Sequence, residues 1–165
     1  MKRKKSRKTL IVALDRVFSK YIRTKYLRDN LVECVTCKRK YPLKSIQAGH
    51  FMSRRHYSTR WDEENVYPQC YGCNVMQQGQ QYLFSKFIDE QFGEGYSDVL
   101  LFKSKETVKF SDFELEEMIE DFTNRLKVLE KEKFWLYSHC WGLWIKVFFI
   151  VIWMTFLIHF SLTKL

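Results

Sequence analysis

Two Cys-x-x-Cys pairs, Cys34-Val-Thr-Cys37 and Cys70-Tyr-Gly-Cys73, stand with 32 residues between them. Each pair can close a tight knuckle that aims two thiolates at one point, and two knuckles complete a tetrahedral zinc shell. Between them lies His50, in Gln47-Ala-Gly-His50-Phe51, and directly after the last cysteine comes Asn74. A four-cysteine zinc site needs neither. A histidine of ordinary pKa, about 6.5, is neutral at physiological pH and can take a proton from water. An amide oxygen suits a hard cation such as Mg²⁺ or Mn²⁺. A zinc-stapled scaffold with a base and a cation ligand is equipped for metal-assisted phosphodiester hydrolysis. Each residue also has a plain structural reading: a hydrogen-bonded His50, and an Asn74 that caps the next helix.

A second zinc reading competes. Cys34-x2-Cys37-x12-His50-x5-His56 fits the spacing of a C2H2 finger. Against it, Gln47 stands where the finger helix needs a large apolar residue. Pro42 and Gly49 disturb the strand and helix required there, and Cys70 and Cys73 would be idle. Two matched pairs outweigh one spacing match, so Cys34, Cys37, Cys70 and Cys73 are expected to hold a structural zinc. The two readings disagree about His50, which is a ligand in one and a catalyst in the other.

The elements that must position these residues follow from pattern. Leu14, Val17, Phe18, Tyr21 and Ile22 recur at helical spacing and predict a helix from Leu10 to about Arg28, packed on the zinc core. Val32, Val35 and Thr36 favour short strands around the first knuckle. After Cys73, Leu83, Phe84, Phe87, Ile88 and Phe92 predict a helix that Gly93 ends. Residues 94–110 carry only weak signals. Ser111-Asp-Phe-Glu114 matches a capping box, and Leu115, Met118, Ile119, Phe122, Leu126 and Leu129 make one face of the helix that follows. That face is either core or the seam of a homodimer through residues 115–129. The fold class expected is α+β, a zinc core at 32–92 flanked by helices, the last at 112–133.

Charge is uneven along the 165 residues. Residues 1–45 hold 15 Lys or Arg against 3 Asp or Glu, and residues 81–133 hold 8 against 13. Basic charge gathered before and around the first knuckle suits phosphate binding. Residues 1–9 read as a disordered arm in which Lys2, Arg3, Lys4 and Lys5 contact phosphates without reading sequence. Arg54, Arg55 and Arg60, with His56 and Tyr57, form a basic loop able to touch the substrate; the plain alternative is a solvated loop. From Phe134 the composition turns apolar. Trp141–Leu162 holds only Lys146 and His159 as ionisable groups, long enough for a membrane helix with Trp135, Tyr137, Trp141 and Trp144 near one end. The alternative is an apolar tail that packs or aggregates. The first ten residues are basic, with no apolar signal-peptide core after them. Paired cysteines then suit a reducing cytoplasm, with inner-membrane anchoring possible through 141–162.

From about Leu14 to Lys133 the chain resembles the phage NinG (Rap) recombination proteins. The likeness lies in Leu14-Asp15…Phe18-Ser19…Ile22-Arg23, Cys34-Val-Thr-Cys37, Ala48-Gly-His50-Phe51, Arg60-Trp61-Asp62-Glu63…Asn65 and Gln69-Cys70…Cys73-Asn74. More distantly the site looks like the His-Me finger (HNH) endonucleases, including phage recombination endonuclease VII. That resemblance implies a zinc-bracketed ββα-metal core. It implies His50 as general base, Asn74 as ligand of a catalytic Mg²⁺ or Mn²⁺, and Asn65 as the residue holding the loop between the strands. HNH enzymes usually carry Asp or His just before the base, where this chain has Gly49; Asp62 or His56 is then the candidate substitute ligand. The family often has a Lys a few residues after the Asn, where this chain has Gln77 and Gln78.

The expected function is a structure-specific DNA endonuclease that cuts branched recombination intermediates such as D-loops and Holliday junctions. Two other classes stay open: a zinc-containing DNA-binding recombination accessory without nuclease activity, and a membrane-tethered scaffold whose zinc domain binds partners.

Overall fold

The computed structural model describes residues 6–133. Ser6 caps helix α1 (Arg7–Lys25), its hydroxyl accepting from the Thr9 N–H and satisfying one of the donors a helix start leaves free. The helix therefore begins inside the stretch expected to be a disordered arm. Lys2, Arg3, Lys4 and Lys5 lie outside the described residues. Of the predicted stripe, Leu14, Phe18, Tyr21 and Ile22 are buried along α1 and Val17 is half-buried; Leu10 is buried as well.

Strands β1 (Leu31–Glu33) and β2 (Lys40–Pro42) pair antiparallel, as do β3 (Ile46–His50) and β4 (Val66–Cys70). A two-stranded ribbon is marginal in water on its own, and these two support each other. The Val35 N–H donates to the Pro68 carbonyl at 3.0 Å. Alternation along β3 puts Gln47 and Gly49 on one face and Ile46, Ala48 and His50 on the other. In β4, Tyr67 and Gln69 stand opposite Gly49 and Gln47. Tyr67 packs on Phe84 and Phe87 of helix α2 (Gln81–Phe92), so the glycine face looks toward α2. Helix α1 contacts both strands.

Between β4 and α2 the chain makes one π-helical turn, Gly72–Met76, where the sequence suggested a direct passage into a helix. Gly93 ends α2 with φ 112, a conformation that glycine alone adopts freely. Helix α3 (Tyr96–Ser104) was not legible: its buried residues are Leu100 and Ser104, while Val99, Leu101 and Phe102 are exposed, so no apolar stripe marks it. Helix α4 runs over residues 112–133 behind a formed capping box. Ser111 Oγ accepts from the Glu114 N–H at 3.2 Å, and the Glu114 carboxylate accepts from the Ser111 N–H at 2.6 Å. Leu115, Phe122 and Leu126 are buried, with Phe122 edge-on to Phe18 at 4.8 Å. The stripe is thus core of a single chain, and a homodimer seam over 115–129 would have to do without these three side chains.

The chain divides into two units, Met1–Lys127 and Val128–Leu165. Of the second, residues 128–133 are described and are helical. Among the described residues no helix is long and apolar enough to cross a membrane. The tail 134–165, with the hydrophobic C-terminal helix expected at 141–162, lies outside them.

Candidate metal centre and hydrolytic site

The first knuckle is a tight turn off β1. The Cys34 N–H donates to the Arg39 carbonyl at 2.9 Å and the Lys38 N–H to the Cys34 carbonyl at 2.8 Å, with Lys38 at φ 59. The second knuckle forms where β4 ends at Cys70 and the π-helical turn carries Cys73. All four sulfurs lie within 4.8 Å of one another, and none is in a disulfide. Cys37 Sγ and Cys70 Sγ are 3.8 Å apart. A tetrahedron with metal–sulfur bonds of about 2.3 Å has an edge of about 3.8 Å, so the cluster fits zinc.

Burial pushes the Cys34 thiol up, but donors from Cys37, Thr36 and Cys70 outweigh it and bring it down to about 6. Among them the Cys70 N–H reaches Cys34 Sγ at 3.3 Å. Burial holds Cys73 up, to about 12. Four thiolates packed this closely can be ionised together only around a cation. His50 and His56 are not in the cluster, which removes the C2H2 alternative.

His50 ends β3, half-buried. Its Nε2 lies 3.0 Å from the Arg60 carbonyl. A carbonyl only accepts, so Nε2 carries the proton and the neutral ring keeps Nδ1 as a lone-pair site. Burial, and then the Arg54 charge, lower its pKa to about 4; the carbonyls of Arg60 and Ala48 and the Asp15 carboxylate oppose them in part. His50 is therefore neutral over the physiological range.

Asn65 holds the loop that presents the Arg60 carbonyl. Its Oδ1 accepts from the Met52 N–H at 2.6 Å, and its Nδ2 donates to the Met52 and Thr59 carbonyls, both at 2.9 Å. The side chain is fully buried. It bridges the two ends of the 51–65 loop and is a positioning residue.

Arg60 was expected on DNA. Instead Nε and Nη2 grip Asp15 of α1 at 3.0 and 2.6 Å, Nη1 donates to the Arg54 carbonyl, and the guanidinium stacks on Tyr57 and Trp61. Its side chain is 16% exposed. Arg60 therefore braces the loop against α1. Arg54 and Arg55 are exposed, as a phosphate contact requires. Asp62, a candidate cation ligand, uses Oδ2 on Lys103 at 2.7 Å and Oδ1 on the Glu64 N–H at 2.9 Å. Its oxygens are already committed.

Asn74 sits on the π-helical turn beside Cys73. Its Nδ2 donates to Gln47 Oε1 at 2.7 Å, which orients the amide and leaves Oδ1 as its acceptor. Asn74 thus meets the Gln47 face of β3, while the His50 ring is held on the other; no hydrogen bond joins the two.

The sequence did not single out Gln69 as a partner of Gly49. Gln69 is fully buried, donating Nε2 to the Gly79 carbonyl at 2.7 Å and toward Thr36 Oγ1 at 3.4 Å. A Cβ on Gly49 would lie 2.1 Å from Gln69 Oε1 and 2.8 Å from its Cδ. Glycine precedes His50 because Gln69 fills that space. The available clue was a glycine inside a strand pattern, which marks close approach. Gly49→Ala should therefore destabilise the zinc-loaded protein by about 1–3 kcal/mol, read by urea unfolding. Gly49→Ala/Gln69→Ala should cost less than the sum of the two single changes, since the clash disappears. Strict additivity would refute the contact.

A family model described as Bacteriophage Lambda NinG protein matches residues 1–132. No curated protein and no solved structure matches the chain.

Proposed function

Because this chain belongs to the bacteriophage lambda NinG family, a role in phage recombination follows, and we propose that it fills it as a divalent-metal-dependent endonuclease of branched DNA. The supporting observation is the His50 ring. It is held neutral by burial, its Nε2–H is fixed on the Arg60 carbonyl, and Nδ1 carries the lone pair that would take a proton.

In this reading His50 Nδ1 takes the proton of the attacking water. Asn65 and the Arg60–Asp15 pair keep the acceptor carbonyl, and so the ring, in place. Asn74 Oδ1, oriented by Gln47 on the face of β3 opposite the ring, would hold Mg²⁺ or Mn²⁺, which would supply positive charge to the phosphate. Amide oxygen is a donor that hard cations accept, so the residue fits the ion. Arg54, Arg55 and the amino-terminal lysines supply phosphate contacts.

The pH dependence follows from sign. A free-enzyme base with its pKa lowered to about 4 stays unprotonated through neutrality, so kcat/KM should hold from pH 8 to pH 6 and fall only near pH 4 to 5. A bound phosphate raises the pKa of a neighbouring histidine, so the acid limb of kcat should lie above that of kcat/KM. A kcat/KM limb at about 6.5 would show an unshifted histidine instead.

The second reading, a DNA-binding accessory without cleavage, is favoured by one observation: Gln69 closes the position before His50 to any metal-binding side chain. A Mg²⁺-dependent nicking assay on flap, D-loop and four-way-junction DNA, parent chain against His50→Ala, separates the two.

A further inference from the structure

Five of the large apolar side chains exposed on the described surface crowd into 13 residues, at Tyr71, Val75, Met76, Tyr82 and Leu83. Tyr71 is 55% exposed, Met76 71% and Tyr82 68%. These values matter because Val75 and Met76 belong to the π-helical turn that carries Asn74, and Tyr71 is its N-cap. With i, i+4 and i+5 spacing they share one side of such a turn. Tyr82 opens α2 across the short 77–80 loop. That loop is folded back onto the turn: the Gly79 N–H donates to the Cys73 carbonyl at 2.9 Å, and Gln69 holds the Gly79 carbonyl at 2.7 Å. The apolar side chains thus flank the knuckle that presents Asn74.

An exposed apolar cluster of this kind marks a binding surface, and its setting says what binds. No Asp or Glu occurs between Glu64 and Asp89 in a chain that has 19 of them. Lys86 Nζ lies 4.5 Å over the Tyr82 ring, which places a cation beside a flat aromatic face. The loop between is Gln77-Gln78-Gly79-Gln80, uncharged and polar. A segment without acids that alternates aromatic faces, amides and a lysine complements a polyanion whose bases are unstacked, with Glu90 the carboxylate that acts on Lys86 from beyond it.

We propose that Tyr71 and Tyr82 form a stacking platform for unpaired nucleobases at a DNA branch, so that strand opening is recognised by the same turn that carries Asn74. This rests on the nuclease or DNA-binding reading above and adds what selects branched over continuous duplex. Stacking on an aromatic side chain is worth about 5- to 150-fold per base. It gains nothing from paired bases already stacked in a helix.

The test compares the full-length parent chain with Tyr71→Ala, Tyr82→Ala and Tyr71→Phe. The probes are a 5′-flap with 2-aminopurine at the first unpaired position and a duplex of equal length. Zinc content is measured first for each variant. The alanine variants should bind the duplex within about twofold of the parent, lose about 5- to 150-fold on the flap, and fail to change the 2-aminopurine fluorescence. Tyr71→Phe should bind the flap as the parent does, since its ring remains. If the parent prefers the flap and the alanine variants do too, the platform is wrong while the DNA reading survives. If the parent binds neither probe, both fall. Sedimentation showing a parent dimer that Tyr71→Ala or Tyr82→Ala dissociates would assign the patch to a second copy and overturn the platform.

Discussion

His50→Ala is expected to fold, hold zinc and bind branched DNA like the parent chain, and to cut it about 10²–10⁴-fold more slowly, the usual contribution of a general base. The ring is held by its Nε2–H on the Arg60 carbonyl, with the Ala48 carbonyl also close to it. The Arg60 carbonyl belongs to a loop anchored independently by Asn65 and by the Arg60–Asp15 pair. Removing the imidazole therefore deletes the proton acceptor without releasing the loop. The loss should fall on kcat with little change in affinity. Asn74→Ala should fail in a different way. It removes the amide oxygen proposed for the cation, so higher Mg²⁺ or Mn²⁺ should restore part of its rate, whereas His50→Ala should not respond. Direct Mn²⁺ titration should show the weaker site in Asn74→Ala alone. Cutting by zinc-loaded His50→Ala at the parent rate would remove His50 from the mechanism and leave the accessory reading.

Cys70→Ser should be the most damaging single change to the fold. Cys70 ends β4, its N–H donates to Cys34 Sγ, and its sulfur faces Cys37 Sγ at 3.8 Å. It therefore ties the second hairpin to the knuckle off the first. Both sheets have two strands and are marginal alone. Structural zinc contributes about 10–16 kcal/mol of apparent binding free energy in small zinc domains, and that is folding free energy. Cys70→Ser should lose stoichiometric zinc and much of its native far-UV circular dichroism, and a chelator should do the same to the parent chain. Acid acts in the same direction. Zinc binding needs thiolates, so falling pH protonates the ligands and releases the metal, and stability is lost as pH drops. His56→Ala should keep its zinc. Zinc lost from His56→Ala and kept by Cys70→Ser would restore the finger arrangement.

The two sets of residues differ in how they could be known. The four-cysteine cluster was legible because a Cys-x-x-Cys knuckle is a local device: four residues set its geometry, and two such devices imply each other. The helices α1, α2 and α4 were legible for a similar reason, since a buried face repeats at 3.6 residues and caps such as Ser111–Glu114 and Gly93 act within one turn. Helix α3 escaped because its exposed Val99, Leu101 and Phe102 break that repeat.

The sequence by itself determined the four-cysteine cluster, the α+β class and the family; it named His50 and Asn74 by their chemistry and Asn65 through resemblance. Only the tertiary structure decided what surrounds them. Arg60 looked like a DNA contact because a loop arginine usually faces solvent; Asp15, 45 residues earlier, draws it inward. Asp62 looked free until Lys103 came alongside. Gly49 looked like a missing ligand until Gln69, its diagonal neighbour on the paired strand, occupied the space of its Cβ. Burial does most to lower the basicity of His50, and burial is not written in its neighbours along the chain. Spacing fixes what one segment can do. Charge pairing, burial and steric exclusion depend on segments far apart in sequence, and these are set only when the chain has packed.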